Sequence, residues 1–289
     1  MEILKNKKAV ITGGSRGIGK AIAVEYLKNG AEVFLLARSA DELNETQKEL
    51  MTLGNVHIAT ADVSQQDDVE RAVNEVAKTF GTIDILVNAA GVYGPIGPVT
   101  DVDPREWKKA IDINLFGTFL SVHFFAPLIK NNKSGSIINF VGGGEGAYPN
   151  FSSYVSAKGG IARFTETVAE ELKDLGMDVN AIAPGAVNTK LLDDLVKVGP
   201  EKAGKANYEQ ALQQKASGGV LPEKVATLCV FLASDKAHGI TGKVFSAVWD
   251  PYENFPKHKK EIMATDVYTM RRVRPEWRGL DLGERSKQQ

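Results

Sequence analysis

Two short patterns in this sequence carry chemistry. Tyr154 and Lys158 stand four positions apart, in Tyr-Val-Ser-Ala-Lys, near the start of a predicted helix. Residues i and i+4 share a helix face, so the phenol and the ammonium become neighbours. A free tyrosine ionises at about pH 10 and is a poor base at neutrality. A nearby ammonium favours the phenolate and brings that ionisation down. Such a phenol can take a proton from an alcohol or give one to a nascent alkoxide. Taken alone the pattern is weak, because Tyr-x-x-x-Lys also occurs on ordinary surface helices.

The second pattern is the run TGGSRGIG at 12–19, which leads from a predicted strand into a helix. Gly13, Gly17 and Gly19 let the backbone turn sharply and approach a ligand. Ser15, Arg16 and Ile18 belong to the same turn. The helix N-terminus beyond it offers free N–H groups and partial positive charge, a natural partner for a pyrophosphate. The spacing departs from G-x-G-x-x-G, and a structural corner between strand and helix is the plain alternative. The second strand ends in Ala37-Arg38, where an NAD-selective site places an acid. Arg38 and Arg16 can hold a 2′-phosphate by charge-assisted bonds. Two arginines and no acid favour NADP over NAD; the alternative is a pair of surface arginines.

Those residues need elements to position them. Short β-branched runs recur at 7–12, 32–37, 55–60, 83–88, 136–141, 177–183 and 242–248. Several are apolar almost throughout, as in strands covered on both faces of a parallel sheet. Helical patterns alternate with them at 17–29, 65–80, 104–130, 152–175 and 222–233. Ser64 is the expected N-cap of the second of these, and Asp103 before Pro104 that of the third. The alternation predicts an α/β fold, a doubly wound parallel sheet of about seven strands, as one domain over 1–250. Residues 187–221 lack a strand pattern and read either as a lid or as a surface excursion. Residues 251–289 form a C-terminal extension, in which 259–273 reads as an amphipathic helix and 283–289 as disordered.

Composition sets the outer limits. Thirty-five Lys plus Arg against 36 Asp plus Glu give a formal net charge of −1, which argues against a dedicated nucleic-acid binder. Cys229 is the single cysteine, which excludes an internal disulfide and a multi-cysteine metal site. Four scattered histidines give no zinc spacing, so no metal is expected. The N-terminus lacks the apolar core of a leader, and no run approaches the ~18 apolar residues of a membrane helix. A cytoplasmic protein with no membrane contact is the expectation.

The sequence resembles the short-chain dehydrogenase/reductase family, of the single-domain type. TGGSRGIG matches that family's TGxxxGxG turn. Asp62, followed by Val63, matches its adenine-contacting acid. Asn88-Ala-Ala90-Gly91 matches its NAG motif. Pro184-Gly-Ala-Val187-Asn-Thr189 matches the segment that touches the nicotinamide amide, and Tyr154/Lys158 match YxxxK. The resemblance covers about 5–250 of this chain, with its motifs in the family's order. It implies hydride transfer between a nicotinamide cofactor, here NADP, and an alcohol or ketone. Tyr154 would be the acid/base, and Lys158 would lower its pKa and hold the ribose. Asn114, in IDINLFG, would complete a proton relay. It also implies a homodimer or homotetramer built partly on helices 104–130 and 152–175.

One family member is missing. The serine expected about 13 residues before the tyrosine aligns with Gly142, beside Val141 and Gly143. Losing one oxyanion donor costs about 10²–10³ in rate. Tyr148, Ser152, Ser153 and the amides of Gly143 and Gly144 are the candidate replacements, and Glu145 is a candidate substrate contact. The small-molecule substrate stays open between a 3-oxoacyl thioester and a sugar or polyol. Arg271, Arg272, Arg274 and Arg278 in the extension mildly favour a phosphorylated or nucleotide-linked one, against a subunit-contact helix with a solvated basic face. The rival functions are a non-catalytic NADP-binding sensor or scaffold, and an epimerase or dehydratase that retains its cofactor.

Overall fold

The computed structural model describes residues 2–129, 135–143 and 146–280. Seven strands form one parallel sheet: β1 (Lys8–Thr12), β2 (Glu32–Ala37), β3 (Val56–Thr60), β4 (Ile85–Asn88), β5 (Gly135–Phe140), β6 (Met177–Ala183) and β7 (Val244–Ser246). Their spatial order is β3-β2-β1-β4-β5-β6-β7. The helices are α1 (Gly17–Lys28), α2 (Ala40–Leu50), α3 (Gln66–Phe80), α4 (Pro104–Ile111), α5 (Gly117–Phe125), α6 (Ser152–Leu172), α7 (Lys190–Ala203), α8 (Lys205–Ser217), α9 (Pro222–Leu232) and α10 (Lys259–Ala264). The doubly wound α/β expectation is met.

The strands are apolar throughout because helices cover both faces. Along β2, Val33 and Leu35 enter a core shared with α1 and α9, while Phe34 and Leu36 enter one shared with α3 and α5. Asp103 caps α4 as expected, its Oδ1 accepting from the Arg105 amide at 2.8 Å. Ser64 does not cap α3. Its hydroxyl donates to Asp62 Oδ1 at 2.7 Å, and Gln65 is the N-cap. The helix expected over 104–130 is interrupted by a π-helical turn at Asp112–Phe116. This composite stretch, Pro104–Leu128, is also the one helix among the described residues long and apolar enough to cross a bilayer. Its buried residues Leu120, Val122 and Phe125 pack into the α3-side core, the role of an internal helix.

Residues 187–221 fold as α7 and α8. In the extension, a 3₁₀ segment (Tyr252–His258) leads into α10, which ends at Ala264. The single helix expected over 259–273 does not form, because long-range partners take its carbonyls. Buried Lys243 donates Nζ to the carbonyls of Thr265 and Val267 at 2.9 and 3.0 Å. The Val244 amide donates to the Tyr268 carbonyl, so the extension covers the outer edge of β7. Tyr252, Phe255 and Ile262 join the α1/α9 core. The disorder expected at 283–289 lies outside the described residues.

Candidate active site

A cleft of about 900 Å³ opens at the carboxyl ends of the central strands, where the strand order reverses between β1 and β4. Ligands of open α/β sheets bind at such a switch point. Gly13, Ser15, Arg16, Gly17, Ile18 and Gly19 form one wall, and Arg38, Asp62, Val63, Ala90 and Thr189 contribute elsewhere. The turn is built for close approach. A Cβ on Gly13 would stand 2.8 Å from the Ala90 backbone, and one on Gly19 would overlap the Gly13 carbonyl oxygen. The N-terminus of α1 has no side-chain cap and no acid in its first turn. Its amides and partial positive charge are thus left for an anion, which fits the pyrophosphate of a dinucleotide.

Six predicted residues do not line the cleft: Asn114, Tyr154 and Lys158, described below, and Asn88, Val187 and Pro184. Asn88 is buried, and its Nδ2 donates to Asn139 Oδ1 at 2.8 Å inside the sheet. Val187 packs into the α1/α9 core and pairs with Val220. Pro184 is half-buried just beyond β6.

Among the cleft residues that the sequence reading does not name, Glu42 bears most on the coenzyme. Glu42, in the first turn of α2, accepts from Ser15 Oγ at 3.0 Å and pairs with Arg16 Nη1 at 2.7 Å. An acid therefore does stand near the end of β2, five positions after the strand. The signal was the Ser39-x-x-Glu42 capping pattern, which places a glutamate on the first turn. Arg38 Nη1 lies 3.8 Å from Asp62 Oδ2.

Tyr154 and Lys158 share one face of α6, with Lys158 Nζ 5.8 Å from the centre of the Tyr154 ring. Lys158 is buried and donates to the Phe140 carbonyl at 2.8 Å. Asn114 sits in the π turn, fully buried. Its Oδ1 accepts from the Val92 amide at 3.1 Å, and its Nδ2 donates to the carbonyls of Val92 and Ala110. It thereby fixes the strand-end loop that carries Gly91. A Cβ on Gly91 would stand 2.8 Å from Asn114 Oδ1 and 3.7 Å from Lys158 Nζ. Gly91 lines the cleft, so both groups stand directly behind its inner wall.

Electrostatics depart from expectation at the tyrosine. Burial pushes the Tyr154 phenol above its ordinary value, and Tyr148 adds to the rise. Burial also pushes the Lys158 ammonium down to about 8. The ammonium is directed at the Phe140 carbonyl, and apolar surroundings desolvate the phenolate. Desolvation therefore outweighs the expected lowering.

The surroundings are aromatic. The Tyr93 ring meets Tyr154 edge-on with centroids 4.9 Å apart, and meets Phe151 at 5.1 Å; Tyr148 stacks on Phe151 at 4.3 Å. Ser153 is buried and donates to the Tyr93 carbonyl at 3.3 Å. Ser152 accepts from Trp107 Nε1 at 3.0 Å. A Cβ on Gly143 would stand 2.6 Å from Val155 Cγ1. Gly144 and Glu145 lie outside the described residues. No group of three or more potential metal ligands occurs among the described residues.

Comparison with known proteins agrees with this geometry. The family described as short chain dehydrogenase matches residues 7–198. The 3-oxoacyl-[acyl-carrier-protein] reductase FabG of Thermotoga maritima is 34% identical over 245 residues, covering 83% of this chain and 96% of its own. The (2S)-[(R)-hydroxy(phenyl)methyl]succinyl-CoA dehydrogenase subunit BbsD of Thauera aromatica is 34% identical over 248 residues, covering 83% and 94%. Among solved structures, levodione reductase superposes with a TM-score of 0.76 at 30% identity, covering 84% of this chain and 96% of that one. The chain belongs to the short-chain dehydrogenase family and is an NAD(P)-dependent oxidoreductase acting on hydroxyl or keto groups.

Proposed function

We propose that the protein reduces an uncharged carbonyl compound with NADPH, and that Tyr154 gives the proton. One observation carries this reading: the buried Lys158 ammonium stands behind Gly91, the inner wall of a glycine-cradled cleft, with the Tyr154 ring centre 5.8 Å from its Nζ. A bound nicotinamide supplies the hydride. The glycine turn and the α1 N-terminus hold the pyrophosphate, Asp62 and Val63 the adenosine, and Thr189 the nicotinamide end. Tyr154 delivers its proton at Oη as negative charge builds on the substrate oxygen, and Lys158 holds the ribose. Asn114 is a positioning residue: its side chain is committed to the Val92 and Ala110 backbone. The stacked, exposed Phe116 and Phe119 rings between α4 and α6 support a homo-oligomer formed through these helices.

The substrate side supports an apolar carbonyl compound. Tyr93, Tyr148, Phe151 and Tyr154 belong to one hydrophobic cluster with Ile96 and Leu192. The extension offers little to an anionic substrate. Arg271 pairs with Glu166 at 2.8 Å, twelve residues along α6 from Tyr154, about 18 Å at the helical rise. The relative BbsD, named for a phenyl-bearing substrate, accords with an aromatic wall.

Two experiments test this reading. Arg38→Ala is expected to weaken NADPH binding by about 10- to 150-fold and to leave NADH binding unchanged, since a charge-assisted bond is worth about 1.5–3 kcal/mol. Equal losses for both coenzymes count against the 2′-phosphate reading. The second is a pH profile. Burial lowers the Lys158 pKa, so the ammonium that holds the ribose is lost from about pH 8 upward instead of above 10. Coenzyme kcat/KM, which reports the free enzyme, is expected to fall through that range, and Lys158→Met is expected to remove the limb. A wild-type profile flat to pH 10 contradicts this role, with ~10.4 the ordinary lysine pKa.

A further inference from the structure

The acid near the end of β2 is tied to the glycine turn. Glu42 Oε2 accepts from Ser15 Oγ at 3.0 Å, and Glu42 Oε1 accepts from Arg16 Nη1 at 2.7 Å. The backbone that carries it is fixed twice. Ser39 Oγ caps α2 by accepting from the Glu42 amide at 3.3 Å. Buried Thr46, one turn further on, donates Oγ1 to the Ser15 carbonyl at 2.7 Å. The carboxylate therefore stays on the cleft wall, which Ser15, Arg16, Arg38 and Ser39 also line.

Arg38 is held more loosely. Its Nη1 lies 3.8 Å from Asp62 Oδ2, beyond hydrogen-bond distance, and Asp62 Oδ1 already accepts from the amide and hydroxyl of Ser64. The two arginines are thus unequal toward an incoming anion. Arg38 can turn to it and give up no hydrogen bond to Asp62. Arg16 has to surrender Glu42 or share its guanidinium with it. Sharing brings two anions to one cation, and like charges at that distance repel. The Arg16 and Glu42 side chains are 48% and 40% exposed. A phosphate can therefore break the pair, at a cost no larger than the worth of an exposed ion pair.

We propose that Glu42 is a coenzyme-specificity residue. It occupies Arg16, leaves the 2′-phosphate of NADPH to Arg38, and so holds the preference for NADPH over NADH below what two arginines would give. The inference rests on NADPH binding in this cleft with its 2′-phosphate at Arg38. NADH carries a hydroxyl at that position and has no need of Arg16, so the pair costs it nothing. Glu42→Gln isolates the effect. The amide keeps the length of the side chain and an oxygen that can accept from Ser15, and it removes the charge.

The test compares wild type, Glu42→Gln and Arg38→Ala. NADPH and NADH are titrated separately by fluorescence, and folding is followed by circular dichroism. Glu42→Gln is expected to bind NADPH about fivefold more tightly, the upper worth of an exposed pair at about 1 kcal/mol, with no gain for NADH. A merely structural role would not produce a gain for one coenzyme alone. NADPH affinity unchanged or lowered in Glu42→Gln, beside a selective loss of NADPH in Arg38→Ala, overturns the inference and leaves the 2′-phosphate reading in place. Equal gains for both coenzymes also overturn it, since the charge then acts on the part of the dinucleotide they share. Loss of fold in Glu42→Gln does so too, since the carboxylate is then structural. A wild type that binds no NADPH, or an Arg38→Ala that loses both coenzymes equally, overturns the reading beneath it.

Discussion

Tyr154→Phe is expected to bind NADPH as the wild type does and to reduce ketones about 10²–10⁴-fold more slowly, the range for losing a general acid. The ring makes the packing contacts, meeting Tyr93 edge-on and lying under Lys158 Nζ. Phenylalanine keeps both contacts and removes only the hydroxyl. Folding and coenzyme affinity should therefore hold while turnover collapses, and steady-state kinetics beside fluorescence titration separates the two. A matching loss of affinity would place the hydroxyl in coenzyme binding instead. Burial holds the phenol neutral, so a resting enzyme at neutral pH has its proton ready to give. The reducing direction therefore needs no prior ionisation.

Gly19→Ala should damage the other end of the cleft. The added methyl would overlap the Gly13 carbonyl oxygen and stand 2.8 Å from its carbon, both backbone atoms that no rotamer change can relieve. The turn must open, and with it the spacing between the α1 N-terminus and the Ala90 backbone that Gly13 abuts. Overpacking of this kind costs about 1–3 kcal/mol or more. NADPH affinity should fall by about 5- to 150-fold if a comparable share of pyrophosphate contact is lost. Denaturant unfolding and coenzyme titration read the two effects. A variant with wild-type affinity would remove the glycine turn from the coenzyme site.

What the sequence made legible was local. The seven strands announced themselves because both faces are covered, leaving runs such as EVFLLA apolar from end to end. Tyr154 and Lys158 were visible because helical geometry fixes an i, i+4 pair, and the glycine turn because four glycines lie within seven residues. What stayed hidden depends on contacts across the chain. Glu42 reaches Ser15 from 27 positions away. Lys243 and Val244 pull residues 265–268 out of the expected helix. Tyr93 and Tyr148 both pack on Phe151, Tyr93 from 58 positions away, beside the adjacent strands β4 and β5. The direction of the Tyr154 shift was hidden for the same reason. Spacing placed a cation beside the phenol, but desolvation by a tertiary aromatic wall decides the sign.

Carbonyl reduction makes a demand on atoms that no coenzyme-binding scaffold and no enzyme retaining its coenzyme shares. NADPH carrying deuterium at its transferable position, incubated with enzyme and acetophenone, should yield an alcohol with the label on its carbinol carbon, read by mass spectrometry. Label left wholly on the nicotinamide, with coenzyme bound and the ketone unchanged, would contradict hydride transfer.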